Sequence, residues 1–256
     1  MADTLYYVIP CYNEEEVLPE TSKRLKVKMT KLMEEGKIGR KSRVCFVNDG
    51  SKDQTWSIIE KLHEGDPLFF GINLSRNRGH QNALLAGLMT VRQYADMAIS
   101  MDADLQDDIE ACDAMIDKYY EGCDIVYGVR SKRDTDTFFK RTTAQAFYKL
   151  MSLMGVKTVY NHADFRLMSK RAVEALMQYP ERNMFLRGIV RQLGFKEGFV
   201  YYDRTARTAG ESKYPLGKMI SFSIDGITSF STAPLKFITF AGLAMTLVAV
   251  FIIVYF

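Results

Sequence analysis

Short runs rich in β-branched and aromatic residues recur through the first half of this chain, each followed by a stretch of helical periodicity. That alternation is the pattern of a mostly parallel sheet covered by helices on both faces, so the fold class is α/β. The spacing predicts strands at Leu5 to Ile9, Val44 to Asn48, Phe69 to Leu74, Met97 to Met101 and Ile125 to Val129. Helices are predicted between them, over Glu15 to Glu35, Gln54 to His63, Gln81 to Tyr94 and Ile109 to Tyr120. Ligands of such sheets bind beyond the carboxyl ends of the strands. Polar residues gather at those ends: Tyr12, Asn13 and Glu14, then Asp49, then Asp102 and Asp104.

A chain of 256 residues, 47% hydrophobic and 25% charged, can bury a full core with something to spare. A formal charge of +3 is too small a positive excess to suggest a nucleic-acid partner. The four cysteines show no C-x-x-C spacing and sit in apolar runs, which fits reduced thiols better than zinc or disulfides. The three histidines are scattered and read as surface or packed residues.

No secretory signal opens the chain, since the first apolar run soon meets Pro10, Asn13 and three glutamates. At the other end, Ile238 to Phe256 holds no charge. About 19 residues at ~1.5 Å each span ~28 Å, close to a bilayer core. Lys213, Lys218 and Lys236 precede this span, and the positive-inside rule then keeps the body in the cytoplasm, at the inner (plasma) membrane. The span ends with the chain, as a single anchor does or as a chain cut short before further spans. Pro215 to Phe230 places Leu216, Met219, Ile220, Ile224, Ile227 and Phe230 on one broad side, the pattern of an interfacial amphipathic helix. Another helix, over Phe138 to Met154, carries an apolar face that packs on the body or the membrane. The expected organisation is a catalytic domain over 1–212, a juxtamembrane helix over 213–231 and a transmembrane helix over 232–256. An apolar span also invites self-association into a homo-oligomer.

The strongest chemical signal is Met101-Asp102-Ala103-Asp104-Leu105-Gln106-Asp107-Asp108, directly after an apolar strand. Asp102 and Asp104 can reach one hard cation and Gln106 can add a neutral oxygen, leaving positions on Mg²⁺ or Mn²⁺ for diphosphate oxygens. In the same run, Asp107 and Asp108 also suit an acidic turn that caps the helix from Ile109. In Val8-Ile9-Pro10-Cys11-Tyr12-Asn13-Glu14, Tyr12 can border a base and Glu14 can accept from ribose; an ordinary strand-to-helix turn capped by Asn13 reads the same. Val47-Asn48-Asp49-Gly50-Ser51 is likewise a turn that Asp and Gly make for local reasons.

Taken together, V-I-P-C-Y-N-E, V-N-D-G-S-K-D-Q-T, N-L-S-R-N-R-G-H-Q-N-A, M-D-A-D-L-Q-D and A-D-F-R-L-M resemble, in order, the inverting glycosyltransferases of family 2, which have a Rossmann-like GT-A fold. Within that family the chain looks like the polyprenyl-phosphate glycosyltransferases, among them the dolichol-phosphate mannosyltransferase type and the bacterial type of O-antigen glucosylation. The resemblance implies that Pro10, Tyr12, Glu14 and Asp49 line a nucleotide-sugar pocket. It also implies that Asp102, Asp104 and Gln106 handle metal and diphosphate, with Ala103 between them against the donor. Arg207-Thr-Ala-Gly-Glu-Ser-Lys213 resembles the segment that closes over the diphosphate, and it also suits a basic patch on lipid headgroups.

Arg130 to Arg141 holds five basic and two acidic residues. A lipid monophosphate carries nearly two negative charges, so Arg130, Arg133, Lys140 and Arg141 suit an acceptor phosphate as well as they suit a solvated loop. Such a phosphate is already a nucleophile and needs no strong base. By resemblance Asp164 is the catalytic or acceptor-orienting carboxylate beside Asp104; a structural pair with Arg166 is the alternative. The expected reaction is inverting transfer of a hexose, from UDP-glucose or a related UDP-sugar, to undecaprenyl or dolichyl phosphate. Its rivals are a processive synthase or other glycosyltransferase with a different acceptor, and a non-catalytic membrane scaffold. A Q-x-x-R-W acceptor motif common in synthases is missing around Trp56, the single tryptophan.

Overall fold

In the computed structural model, the residues described are 2–131, 162–179, 186–203 and 233–256. The expected helices over Phe138 to Met154 and Pro215 to Phe230 lie outside them. The chain divides into two compact units, Met1–Asp134 with Asn161–Ser212, and Thr135–Tyr160 with Lys213–Phe256.

The first unit is built in the order β1 (Leu5–Cys11), α1 (Leu18–Glu34), β2 (Arg43–Asn48), α2 (Thr55–Gly65), β3 (Phe69–Asn73), α3 (His80–Val91), β4 (Met97–Ser100), α4 (Ala111–Tyr120) and β5 (Ile125–Arg130). After these come β6 (His162–Ser169), α5 (Lys170–Leu176), α6 (Leu186–Gln192) and β7 (Glu197–Tyr202). The strands form one sheet in the order β3-β2-β1-β4-β6-β5-β7. All five predicted strands and the four helices predicted between them are present. Helix α1 starts at Leu18 rather than Glu15, because Glu15 is drawn into a loop contact described below.

Every residue of β1 except Tyr6 is buried, as are five of the six in β2. Strands covered on both faces read as continuous apolar runs rather than alternating ones. Helix α1 turns Leu18, Leu25, Met29 and Leu32 inward at helical spacing. Helix α3 lies close on the sheet because Gly87 faces it: a Cβ there would come 2.3 Å from Val8 Cγ1 and 2.9 Å from Val47 Cγ2.

Strand β1 pairs in parallel with β2 on one side and β4 on the other. The chain therefore leaves β1 in one direction and returns on its other side, which opens a crevice at the carboxyl ends of β1 and β4. Strand β6 runs antiparallel to both β4 and β5, pairing Ser100 with Arg166. Its amino end thus reaches the edge where β4 ends.

The opposite edge is closed by Asp124, a buried carboxylate that accepts from the Ser169 hydroxyl and from Arg171. Arg171 holds Asp124 below the usual carboxylate range, against the opposing effect of burial and with help from Ser169. A depressed carboxylate contributes stability that is complete above its unfolded value near ~3.9 and is lost as pH falls through the lower folded value. Below about pH 4, thermal scanning is expected to show a shallower loss of stability in Asp124→Asn than in the parent chain.

In the second unit, α7 (Ala233–Tyr255) is described. Its segment Ile238–Tyr255 is long and apolar enough to cross a membrane.

Candidate active site

The first wall of the crevice is two loops stitched together. Asn13 sits in the left-handed region at φ 52°, where its N–H donates to Ser51 Oγ (3.0 Å) and its Oδ1 accepts from Lys52 N–H (2.9 Å). The Glu14 N–H donates to Thr55 Oγ1 (2.8 Å), Glu15 Oε2 accepts from Gln54 N–H (2.8 Å), and Asp53 accepts from Glu15 N–H (3.2 Å). Asn13 therefore braces the neighbouring loop instead of capping α1, whose N-terminus has no side-chain cap. This stitching brings Pro10, Tyr12, Glu14 and Asp49 to one end of the β1–β2 pair.

Asp49 is 3% exposed and its two oxygens divide the work: Oδ1 accepts from Arg78 N–H (2.6 Å), Oδ2 from Gly79 N–H (2.9 Å). Gly50 completes the contact at φ +66°, where a Cβ would come within 2.6 Å of Arg76 C and Asn77 N. The loop that opens α3 is thus clamped from below, and its next residue is His80.

The second wall is the turn after β4. Its Leu105 adopts φ 55°, and Asp104 Oδ1 accepts from Gln106 N–H (3.2 Å). The Thr21 hydroxyl on α1 lies 2.7 Å from the Ala103 carbonyl and 2.9 Å from that of Val17, so one proton serves two acceptors. Ala103 is 4% exposed, and a buried carbonyl stripped of its donor costs about 1–3 kcal/mol. Thr21→Val, which keeps the shape and removes the donor, is expected to lower the melting temperature by several degrees in thermal scanning.

The two walls meet at His80. Its Nε2 is 3.5 Å from Asp102 Oδ1 and 3.6 Å from Asp164 Oδ2. Asp164 arrives on β6, fixed by Ser100 Oγ donating to its carbonyl (2.6 Å), and its Oδ1 accepts from Arg166 Nη2 (2.9 Å). The pair with Arg166 and the place beside Asp102 therefore coexist. Burial, opposed by His80 and reinforced by Asp107, Asp164 and Asp104, pushes the Asp102 carboxyl up to about 6. A cluster short of positive charge suits a divalent cation, and the donors Asp102, Asp104 and Gln106 are the hard oxygens that Mg²⁺ or Mn²⁺ prefers. Among the described residues no group of three or more His, Cys, Asp or Glu side chains could hold a metal alone. Two carboxylates and an amide fit a cation completed by substrate oxygens rather than a closed protein cage.

Arg130, at the end of β5, donates from Nη2 to Asp107 Oδ1 (3.0 Å), and its Nε lies 3.4 Å from Tyr202 Oη. Arg133, Lys140, Arg141, Arg207 and Lys213 lie outside the described residues. Sequence reasoning missed His80, Asp107 and Tyr202. For His80 a signal existed, since it follows β3 at the same carboxyl edge that marked the acids.

The model of the family described as "Glycosyl transferase family 2" matches residues 6–194. The chain belongs to glycosyltransferase family 2. One family relative, an uncharacterized glycosyltransferase (YkoT) of Bacillus subtilis, is 54% identical over 94% of this chain and 72% of its own length. The bactoprenol glucosyl transferase of Shigella phage SfX is 43% identical over 92% of this chain and 75% of its own. Among solved structures, glucosyl-3-phosphoglycerate synthase from Mycobacterium tuberculosis, in complex with Mn²⁺, UDP and glucosyl-3-phosphoglycerate, superposes with a TM-score of 0.56. That match is 15% identical, covers 87% of this chain and 76% of the synthase, and speaks for the GT-A fold.

Proposed function

We propose that this family 2 glycosyltransferase moves a hexose from a nucleotide sugar to polyprenyl phosphate at the cytoplasmic face of a membrane, inverting the anomeric carbon. The observation that carries the reading is the meeting of Asp102 and Asp164 around His80 at the switch point of the sheet. Donor-side and acceptor-side carboxylates then flank one reacting centre. The relative named for bactoprenol glucosyl transfer supports the lipid acceptor and a glucosyl donor.

In the proposed reaction an oxygen of the lipid phosphate forms a bond to the anomeric carbon as the bond to the nucleoside diphosphate breaks. The electron pair leaves with the diphosphate. Pro10, Tyr12, Glu14 and Asp49 bind the nucleotide, with Arg207 and Lys213 on its diphosphate. Arg130, Arg133, Lys140 and Arg141 hold the acceptor phosphate, and Asp164 orients it against the sugar. Asp102, Asp104 and Gln106 would hold Mg²⁺ or Mn²⁺, which supplies Lewis-acid neutralisation of the charge gathering on the leaving group. Because the nucleophile arrives ionised, the protein's contribution is positioning and electrostatic stabilisation. Helix α7 is assigned as the anchor that keeps this site at the bilayer, with the catalytic domain over 1–212 and the juxtamembrane segment over 213–231.

The test is a panel of UDP- and GDP-sugars with purified full chain, undecaprenyl phosphate and Mg²⁺ or Mn²⁺, read by mass of the lipid product and by NMR of its anomeric centre. A single hexose added to the lipid phosphate with inversion is the expected result. Lengthening chains, or transfer only to another acceptor, would replace this reading with that of a synthase. Donor turnover that ignores the lipid under every condition would remove the acceptor assignment.

A further inference from the structure

Three residues distant in sequence close a triangle at the carboxyl edge of the sheet. Asp107 follows β4, and Arg130 and Tyr202 are register partners at the ends of β5 and β7. Asp107 Oδ1 accepts from Arg130 Nη2 (3.0 Å) and from the Tyr202 hydroxyl, which also lies 3.4 Å from Arg130 Nε. The Asp107 side chain is 1% exposed and that of Arg130 23%. Tyr202 is buried, with its ring edge-on to Phe165, the neighbour of Asp164.

Two anchors are thus sealed in the fold while the guanidinium they hold reaches the surface of the site. Nε and Nη2 form the held edge of a rigid planar fork. The opposite edge, made of Nη1 and the second hydrogen of Nη2, takes no bond from a described residue. Such an edge matches two oxygens of one phosphate. Burial works against the Arg130 charge, but Asp107 and Tyr202 together outweigh it, so the fork stays cationic.

We infer that Asp107 and Tyr202 are positioning residues that aim the outer edge of Arg130 at the acceptor phosphate. The inference rests on the proposed role of Arg130 and adds what sets its direction. A lone arginine on a strand end would have to freeze several rotatable bonds on each encounter with the lipid; here the two buried anchors have already frozen them. Both anchors are themselves buried.

The experiment is a double-mutant cycle on the full chain, with acceptor KM, donor KM, kcat and melting temperature read for each variant. Tyr202→Phe keeps the ring against Phe165 and removes the hydroxyl. It is expected to raise the KM for undecaprenyl phosphate about tenfold, leaving the donor KM within about twofold. Asp107→Asn is expected to act in the same direction. Arg130→Ala is expected to raise the acceptor KM about a hundredfold, and adding Tyr202→Phe to it is expected to change nothing further. If Tyr202→Phe raises both KM values alike, or acts in full without Arg130, the positioning role is overturned. If Arg130→Ala itself leaves the acceptor KM unmoved, the acceptor role of Arg130 fails first and the inference falls with it.

Discussion

Asp104→Ala is expected to lower sugar transfer by about a thousandfold or more while leaving the melting temperature within a few degrees of the parent chain. Asp102, Asp104 and Gln106 are the donors assigned to the cation, so removing one acid takes away a large part of the negative charge that would hold it. A thousandfold loss corresponds to about 4 kcal/mol of transition-state stabilisation, the scale at which electrostatic groups aimed at developing charge operate. Stability should survive, because Asp104 is partly exposed and the bond it accepts from the Gln106 N–H is local to the turn. The control is Asp108→Ala, four residues along the same acidic run. Asp108 accepts from Glu110 N–H (2.9 Å) in the turn before α4, so its loss is expected to change transfer no more than about twofold. Calorimetric titration with Mn²⁺ should separate the two variants without any substrate present. Full activity of Asp104→Ala at saturating donor would sink the metal assignment.

Those acids were legible in sequence because a parallel strand ends at the crevice of the sheet: the apolar run to Met101 states where β4 stops, and the next residues fall there. The first wall of the crevice was legible for the same reason after β1 and β2. Asp164 could not be found that way. It lies at the beginning of β6, and a strand start points to a ligand edge where the strand runs antiparallel to its neighbours. The buried Arg166 also breaks the apolar pattern that would have marked β6 as a strand. His80 was dismissed as scattered because its meaning comes from the Asp49 clamp, 31 positions earlier in the chain. The Asp107–Arg130–Tyr202 triangle was invisible for a related reason. Local patterning carries propensity and period, whereas a buried charge and its partner are joined by topology. The expectation of an acidic helix cap at Asp107 failed on the same point, since the carboxylate is turned to Arg130 and α4 begins at Ala111 without a side-chain cap.

The clamp under His80 makes the second large effect calculable. Asp49 accepts two backbone N–H bonds on two separate oxygens, from Arg78 and Gly79, and both are charge-assisted. Asn in its place offers one oxygen, and its amide nitrogen must then face a backbone N–H, donor against donor. One bond to a charged acceptor is lost, worth about 1.5–3 kcal/mol, and a buried N–H is left unsatisfied. The loop cannot settle lower to compensate, because the backbone of Arg76 and Asn77 already presses on Gly50. It can only lift away from β2, carrying His80 out from between Asp102 and Asp164. Asp49→Asn is therefore expected to raise donor KM about a hundredfold and to lower kcat as well, since it disturbs the proposed nucleotide wall and the meeting point of the carboxylates together. Asp49→Glu, which keeps the charge but overreaches by one methylene, should fall between Asn and the parent chain. Hydrogen exchange supplies an independent check: the Arg78 and Gly79 amides should lose protection in Asp49→Asn while those of β2 keep theirs. Unchanged protection at Arg78 and Gly79 would show that the clamp is not what holds His80 in place, and the arrangement of the whole site would need another cause.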